Sequence, residues 1–266
     1  MDNSQKKIKA LNREFAALQR QESRLMRSAV RAKPAGWKTM LEKKVPEKVY
    51  AGLNSAFCKG FSLVFQHGRK IIELTYKKEK LQQKHTVQND GFREQGKRKD
   101  IRILHKNARG SNNLNVAVTT VEGIGLGALG IGMPDIVLFL TTVLRGVYET
   151  ALHYGFDYES RFEQMLILKM MAASLSSGGD WFSRNREVND WLRLDTRQVT
   201  EEEFSKQIQA TSEVFAVDML LLKFIQGLPV VGILGGAANP LYYNKVMRYV
   251  QLKYRRRYLL KLQKDV

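Results

Sequence analysis

Apolar residues recur at three-, four- and seven-residue steps along the first part of the chain, which is the spacing of an amphipathic helix. The spacing is followed by Ile8, Leu11, Phe15, Leu18 and Leu25. Lys, Arg and Gln fill the other faces. We therefore predict a helix over residues 4–31, ended by the Lys-Pro-Ala-Gly run at 33–36.

An aromatic stripe marks a second predicted helix, which begins near Pro46. Phe57, Phe61 and Phe65 recur every fourth residue within it. Core packing is the common reason for such a stripe, so we expect these rings in the interior. Further along the chain, the turn-forming run Gln88–Gly91 predicts a break.

Two glycine-rich apolar segments, Gly123–Leu144 and Gly227–Pro240, distinguish the middle and late parts of the chain. The first contains one charged residue, Asp135, and small residues four apart, a spacing that lets helices approach closely. Three interpretations stay open for it: a tightly packed core, a shallow or hairpin insertion into a membrane, and a true membrane span. Pro134 and Asp135 count against a span because an acid inside a bilayer is costly.

The remaining local signals are helical. Thr200 and Glu203 have the spacing of a capping box at the start of a helix. Gly125–Gly130 matches the dinucleotide-binding pattern G-x-G-x-x-G, but Pro134 falls inside the helix that should hold the phosphates. Alternating apolar and polar runs with turn signals are not found. We predict an all-α fold: a compact multi-helix domain with two glycine-rich apolar helical segments and an N-terminal helical extension.

The charge distribution along the chain indicates what kind of partner the protein binds. The 266 residues contain 44 Lys and Arg against 26 Asp and Glu, for a net charge of +18. Residues 1–113 carry 27 basic and 10 acidic side chains, residues 114–243 carry 9 and 15, and residues 244–266 carry 8 and 1. Two basic ends thus enclose a mildly acidic middle, which indicates an anionic partner. The single cysteine, Cys58, and the lack of a leader sequence predict a cytoplasmic protein.

The C-terminal basic run is the densest and is interleaved with tyrosines. Its candidate membrane- or anion-binding residues are Lys253, Arg255, Arg256, Arg257 and Lys261. Tyr and Arg side by side suit a membrane interface, while a core helix whose arginines face water is the alternative. On the first interpretation, glutamate at all three arginines leaves the fold intact and weakens binding to anionic vesicles.

The candidate catalytic residues are few. The four histidines show no metal-binding spacing, so we predict no metal site and no cofactor. On a helix, Asp135 and Glu149 share one face, and Arg145 lies four residues before Glu149. Asp135 is equally suited to cap the helix that follows Pro134. The full set that could form a polar pocket is Asp135, Arg145, Glu149, Tyr154, Asp157 and Asn239.

Residues 121–158 resemble the EcsC family of bacterial proteins. The resemblance is carried by Gly130–Asp135, Leu144–Glu149, Ala151 and Tyr154–Asp157, and flanking blocks begin at Lys44 and Pro229. It divides the chain into a basic N-terminal helical extension, residues 1–36, and an EcsC-like helical domain, residues 37–266. The family is named for a gene beside an ABC-transporter operon, which implies work at the inner face of the membrane, with a transporter as a possible partner. It supplies no catalytic residue to carry over.

Three functions follow from these patterns. The first is a non-enzymatic cytoplasmic protein, peripherally bound to the anionic inner membrane face through its basic ends, with an anionic lipid as partner. The second is an enzyme acting on a lipid or other anionic substrate, which requires the polar set to line one pocket. The third, nucleic-acid binding, explains the charge but lacks a recognition motif.

Overall fold

The computed structural model describes residues 3–30, 36–68, 72–73, 76–110, 133–225 and 238–265, and the elements in these ranges are helical. No strand occurs in the described ranges, so the predicted all-α fold is confirmed. The helices are α1 (Asn3–Val30), α2 (Trp37–Lys44), α3 (Glu47–Leu63), α4 (Lys78–Gln95), α5 (Arg98–Gly110), α6 (Met133–His153), α7 (Arg161–Leu175), α8 (Gly178–Trp191), α9 (Glu201–Ile225) and α10 (Ala238–Lys264). A π-helical turn, Val64–Gly68, continues α3.

The centre of the fold is α7, in which every residue from Phe162 to Leu175 is buried. A helix that is buried on all sides must be surrounded by other helices, and α8, α9 and α10 all pack against it. The predicted aromatic stripe also lies in the core, where the rings of Phe57 and Phe61 are 5.5 and 5.4 Å from that of Phe215 in α9. That expectation is confirmed.

The structure contains the helix start predicted at Thr200 but not the chain break predicted at residues 88–91. The Thr200 side chain accepts a hydrogen bond from the Glu203 amide at 3.1 Å, and the Glu203 carboxylate accepts one from the Thr200 amide. The predicted capping box is therefore confirmed. The predicted break at Gln88–Gly91 is wrong, since α4 continues to Gln95 and ends at Gly96 in the left-handed conformation, with φ of 61°.

The N-terminal helix, predicted over residues 4–31, forms as α1 and packs mainly on α10, with further contacts to α5 and α8. Leu11 and Leu18 are buried in the common core. Glu14 of the same face is buried as well. The helix expected as an extension thus contributes both apolar and ionic contacts to the helical bundle.

Most of the two glycine-rich segments, residues 123–132 and 227–237, lies outside the described residues. The rest of the first segment belongs to α6, where Ile136, Leu140 and Leu144 are buried. By length and composition the segment Ile136–His153 could cross a membrane, and 83% of it is buried within the bundle. Burial to that extent is what a core helix shows.

Candidate anion-binding cleft

A cleft of about 740 Å³ lies between α1 and α5, with Arg255 of α10 also in its lining. The α5 sequence forms one wall because it is amphipathic: Ile101, Leu104 and Ala108 are buried in the core. The basic side chains of the adjoining face line the cleft, and they are Arg98, Lys99, Arg102, Lys106 and Arg109. Steps of three and four residues place Arg98, Arg102, Lys106 and Arg109 in one row, with Lys99 three residues before Arg102.

One acidic side chain, Glu14 of α1, lines the cleft. Its carboxylate is almost completely buried and accepts hydrogen bonds from Arg98 Nε and Arg255 Nη2, each at 2.5 Å. Lys99, Arg102, Lys106 and Arg109 have no ion-pair partner among the described residues. The cleft therefore keeps a large positive excess after its own ion pairs are formed.

Arg255 is 3% exposed and is held by three residues of the cleft lining. Besides the Glu14 ion pair, its Nη1 donates to the Gln21 side-chain oxygen at 3.0 Å and lies 3.1 Å from His105 Nε2. Its buried Nε has no hydrogen-bond partner within the described part of the chain. A buried donor without an acceptor is rare in folded proteins, so this atom calls for an explanation.

His105 is a neutral ring that orients Arg255. Burial and then the positive charges of Arg255 and Arg109 lower the pKa of His105 to about 3. Because a guanidinium can only donate, His105 Nε2 is the acceptor and the ring proton lies on Nδ1. Nδ1 donates to the Tyr154 hydroxyl oxygen at 2.5 Å. The imidazole thus links a core tyrosine to the arginine of the cleft.

The basic run of α10 lies mostly inside the protein. Lys253, Arg255 and Arg257 are buried, with exposures of 2, 3 and 8%. Lys253 donates to Glu22 at 3.1 Å and to Asn189 at 2.8 Å. Burial, opposed in part by Glu22, lowers the pKa of Lys253 to about 8.

Arg257 donates to the buried Glu163 at 2.6 Å, and its guanidinium lies 4.1 Å from the Phe156 ring. Arg256 is half-buried and donates to Glu22 at 2.7 Å. The expectation that glutamate at all three arginines leaves the fold intact must be reversed, since it would place like charges against buried carboxylates.

Lys261, the fifth candidate, is exposed. It lies with Arg193, Arg257 and Lys264 in a second cleft of about 580 Å³. Asp195 in the same cleft forms an ion pair with Lys264. A membrane- or anion-binding role for the five α10 residues stays a prediction, and four of the five form ion pairs within the protein.

The predicted polar set is only partly described. Arg145 Nε donates to Glu149 at 3.1 Å along α6. Burial raises the pKa of Glu149, and the Arg145 guanidinium opposes that rise. The side chains of Asp135 and Asn239 lie outside the described residues.

The other two members have partners elsewhere. Tyr154 is fully buried beside His105, and Asp157 is an exposed turn residue that accepts from the Glu159 amide at 3.1 Å. The structure thus brings Arg145 and Glu149 together, whereas Tyr154 contacts His105 in the core and Asp157 lies 3.7 Å from Lys78 Nζ at the surface.

Apart from Arg255, the residues that line the α1–α5 cleft were not predicted as a site from the sequence. A signal was present, because the bases at 98, 102, 106 and 109 alternate with Ile101, Leu104 and Ala108 in helical steps. The contact of Arg255 with Glu14 and Gln21 had no local signal, since Arg255 is 241 and 234 residues from them in the chain.

Comparison with known proteins agrees with the resemblance found in the sequence. No curated protein and no solved structure matches the chain. A model of the EcsC protein family matches residues 8–259, which begin within α1 and end within α10. Since the match spans nearly the whole chain, the protein is a member of the EcsC family.

Proposed function

We propose that this protein is a non-enzymatic peripheral membrane protein that binds the anionic cytoplasmic face of the cell membrane through α1 and α5. The observation that carries the proposal is a concentration of exposed positive charge on these two neighbouring helices, with no ion-pair partner among the described residues. It differs from the interpretation of the C-terminal run, whose charges are largely engaged inside the fold.

The α1 contribution is a stripe of bases at seven-residue steps: Lys6, Arg13, Arg20 and Arg27. All four are exposed, and none has an ion-pair partner among the described residues. Arg13 and Arg20 lie four and three residues from Ala17, which lines the cleft. The stripe therefore borders the basic wall of α5.

The energies are sufficient for reversible binding. Each basic residue near an anionic bilayer contributes about 1 kcal/mol, so six to eight of them would give useful attraction without insertion. Salt weakens such attraction because the Debye length is only about 10 Å at 0.1 M ionic strength. Binding of this kind should therefore be strong at low salt and weak at high salt.

The enzyme alternative receives less support. It requires the polar set to line one pocket, and its described members are divided among an ion pair, a core hydrogen bond and a turn. Nucleic-acid binding draws on the same exposed charge and is separated from membrane binding by the experiment below.

Co-sedimentation of the full chain with anionic and neutral vesicles tests the proposal. A variant with Arg13→Gln, Arg20→Gln and Arg27→Gln should lose most of its binding to anionic vesicles. The matched control, Lys48→Gln, Lys59→Gln and Lys84→Gln, removes the same charge from exposed positions on α3 and α4 and should bind nearly as well as the wild type.

Two results would oppose the proposal. Equal binding to neutral and anionic vesicles would remove charge from the mechanism. Preferential binding of a random-sequence DNA duplex over anionic vesicles at the same salt concentration would favour the nucleic-acid alternative.

A further inference from the structure

We infer that the α1–α5 cleft is a binding site for a phosphomonoester group, carried by a lipid headgroup or by a small soluble molecule. For the lipid source the inference rests on the proposed function, whereas binding of a soluble phosphomonoester does not require it. The site would add chemical selectivity to an attraction that otherwise depends on charge alone.

The first argument is a fixed donor. Arg255 is held in place by Glu14, Gln21 and the neutral ring of His105, and its buried Nε lacks an acceptor within the described residues. A guanidinium fixed in this way is preorganised, so little conformational entropy is lost when an oxyanion binds. Phosphate oxygens are strong acceptors for such donors.

The second argument is the row of exposed cations that lines the cleft. Arg102, Lys106 and Arg109 are exposed, line the cleft and have no ion-pair partner in the described ranges. Like charges three or four residues apart destabilise a helix slightly, so the row has a cost when the cleft holds no anion. An anion that several of these side chains contact at once would offset that cost.

The third argument concerns the charge and size of the ligand. Glu14 already compensates part of the positive charge of Arg98 and Arg255. The remaining excess favours a dianion with several acceptor oxygens, which describes a phosphomonoester near neutral pH better than a carboxylate or a phosphodiester. A volume of about 740 Å³ falls within the range of small-molecule sites and admits the group attached to the phosphate.

The test begins with a soluble probe, glycerol 3-phosphate, titrated into the full-length protein by calorimetry. A variant with Arg102→Gln, Lys106→Gln and Arg109→Gln should bind at least about tenfold more weakly than the wild type, since charge-assisted hydrogen bonds are lost. The Lys48→Gln, Lys59→Gln and Lys84→Gln control should stay within about twofold. All six substitutions are at exposed positions, so both variants should fold.

A second variant tests the fixed donor. Arg255→Lys keeps the charge but loses the fork-shaped array of donors, and it should weaken glycerol 3-phosphate binding while circular dichroism remains that of the wild type. If this variant does not fold, the surface triple variant alone decides the matter. Equal affinity in the surface triple variant and its control would overturn the inference.

Vesicles then identify the source of the phosphate. Phosphatidylcholine vesicles containing phosphatidic acid, a phosphomonoester, are compared with vesicles of equal surface charge containing phosphatidylglycerol, a phosphodiester. Tighter binding to phosphatidic acid that glycerol 3-phosphate reverses supports a lipid source. Binding of soluble glycerol 3-phosphate without any vesicle binding supports a soluble source and refutes the proposed function instead. Equal binding to both vesicles, with no binding of the soluble probe, refutes the inference and leaves the proposed function standing.

Discussion

The ion pair between Arg257 and Glu163 offers the sharpest test of a structural role for the basic run of α10. Both residues are buried, with exposures of 8 and 2%, and Glu163 accepts from Arg257 at 2.6 Å and from the Tyr254 hydroxyl at 2.7 Å. Glu163→Gln keeps the size and an acceptor for Tyr254 but leaves the guanidinium charge uncompensated in the interior.

Breaking a buried ion pair from one side costs about 3–5 kcal/mol. The Phe156 ring, 4.1 Å from the guanidinium, still supports the cation, so we expect the low end, about 3 kcal/mol. In a chain of this size that loss lowers the Tm by roughly 6–12 °C. Urea unfolding, followed by circular dichroism and by tryptophan fluorescence, measures the change in the free energy of unfolding, provided that the two transitions coincide.

An exposed ion pair in the same protein is the matched control. Lys206 and Glu202 are four residues apart on α9 and are 72 and 76% exposed, so Glu202→Gln should cost less than about 1 kcal/mol. Adding Arg257→Met to Glu163→Gln should recover part of the lost stability, because neither charge then remains buried alone. If Glu163→Gln proves no less stable than Glu202→Gln, the ion pair does not have the role that its burial indicates.

Three further expectations concern pH and capping. Burial lowers the pKa of His153 to about 4, so the unfolded chain binds more protons than the folded protein below about pH 6.5. The free energy of unfolding should therefore fall by about 2 kcal/mol when the pH is lowered to 5. In His153→Gln this fall should be smaller. The pKa of Lys253 is lowered to about 8, so the folded protein should gain about 2 kcal/mol of stability between pH 7 and 9.5, and Lys253→Met should abolish that gain; an equal gain in the variant would refute the assignment. Thr200→Ala should cost about 1 kcal/mol through loss of the α9 cap, without a change in vesicle binding; an unchanged urea midpoint would contradict the capping role.

The features that the sequence predicted well depend on local spacing. The helix predicted over residues 4–31 is α1, and the Phe57–Phe61–Phe65 stripe and the Thr200–Glu203 box are found where expected. Each of these features depends on residues three to seven apart, so the helical period in the sequence is enough to predict the feature. The resemblance to the EcsC family, which the comparison confirms, also depended on short local motifs.

The features that the sequence did not predict depend on distant partners. The turn-forming residues at 88–91 stay helical because Phe92 is buried in the core and Asn89 accepts from the Tyr258 hydroxyl of α10. Tertiary contacts of this kind outweigh local turn preference. The burial of Arg255 and Arg257 depends in the same way on Glu14 and Glu163, which are 241 and 94 residues away.

The net charge of +18 therefore combines two kinds of basic residue with different physical roles. Arg255 and Arg257 are compensated by the buried carboxylates of Glu14 and Glu163, and their positive charge is needed so that those carboxylates are not left unpaired. The exposed bases of α1 and α5 have no such partners in the described structure, and packing gives no reason for them. A binding function is therefore expected of the exposed bases rather than of the buried ones. The α1–α5 cleft contains both, since the buried Arg255 lines the same space as the exposed Arg102, Lys106 and Arg109.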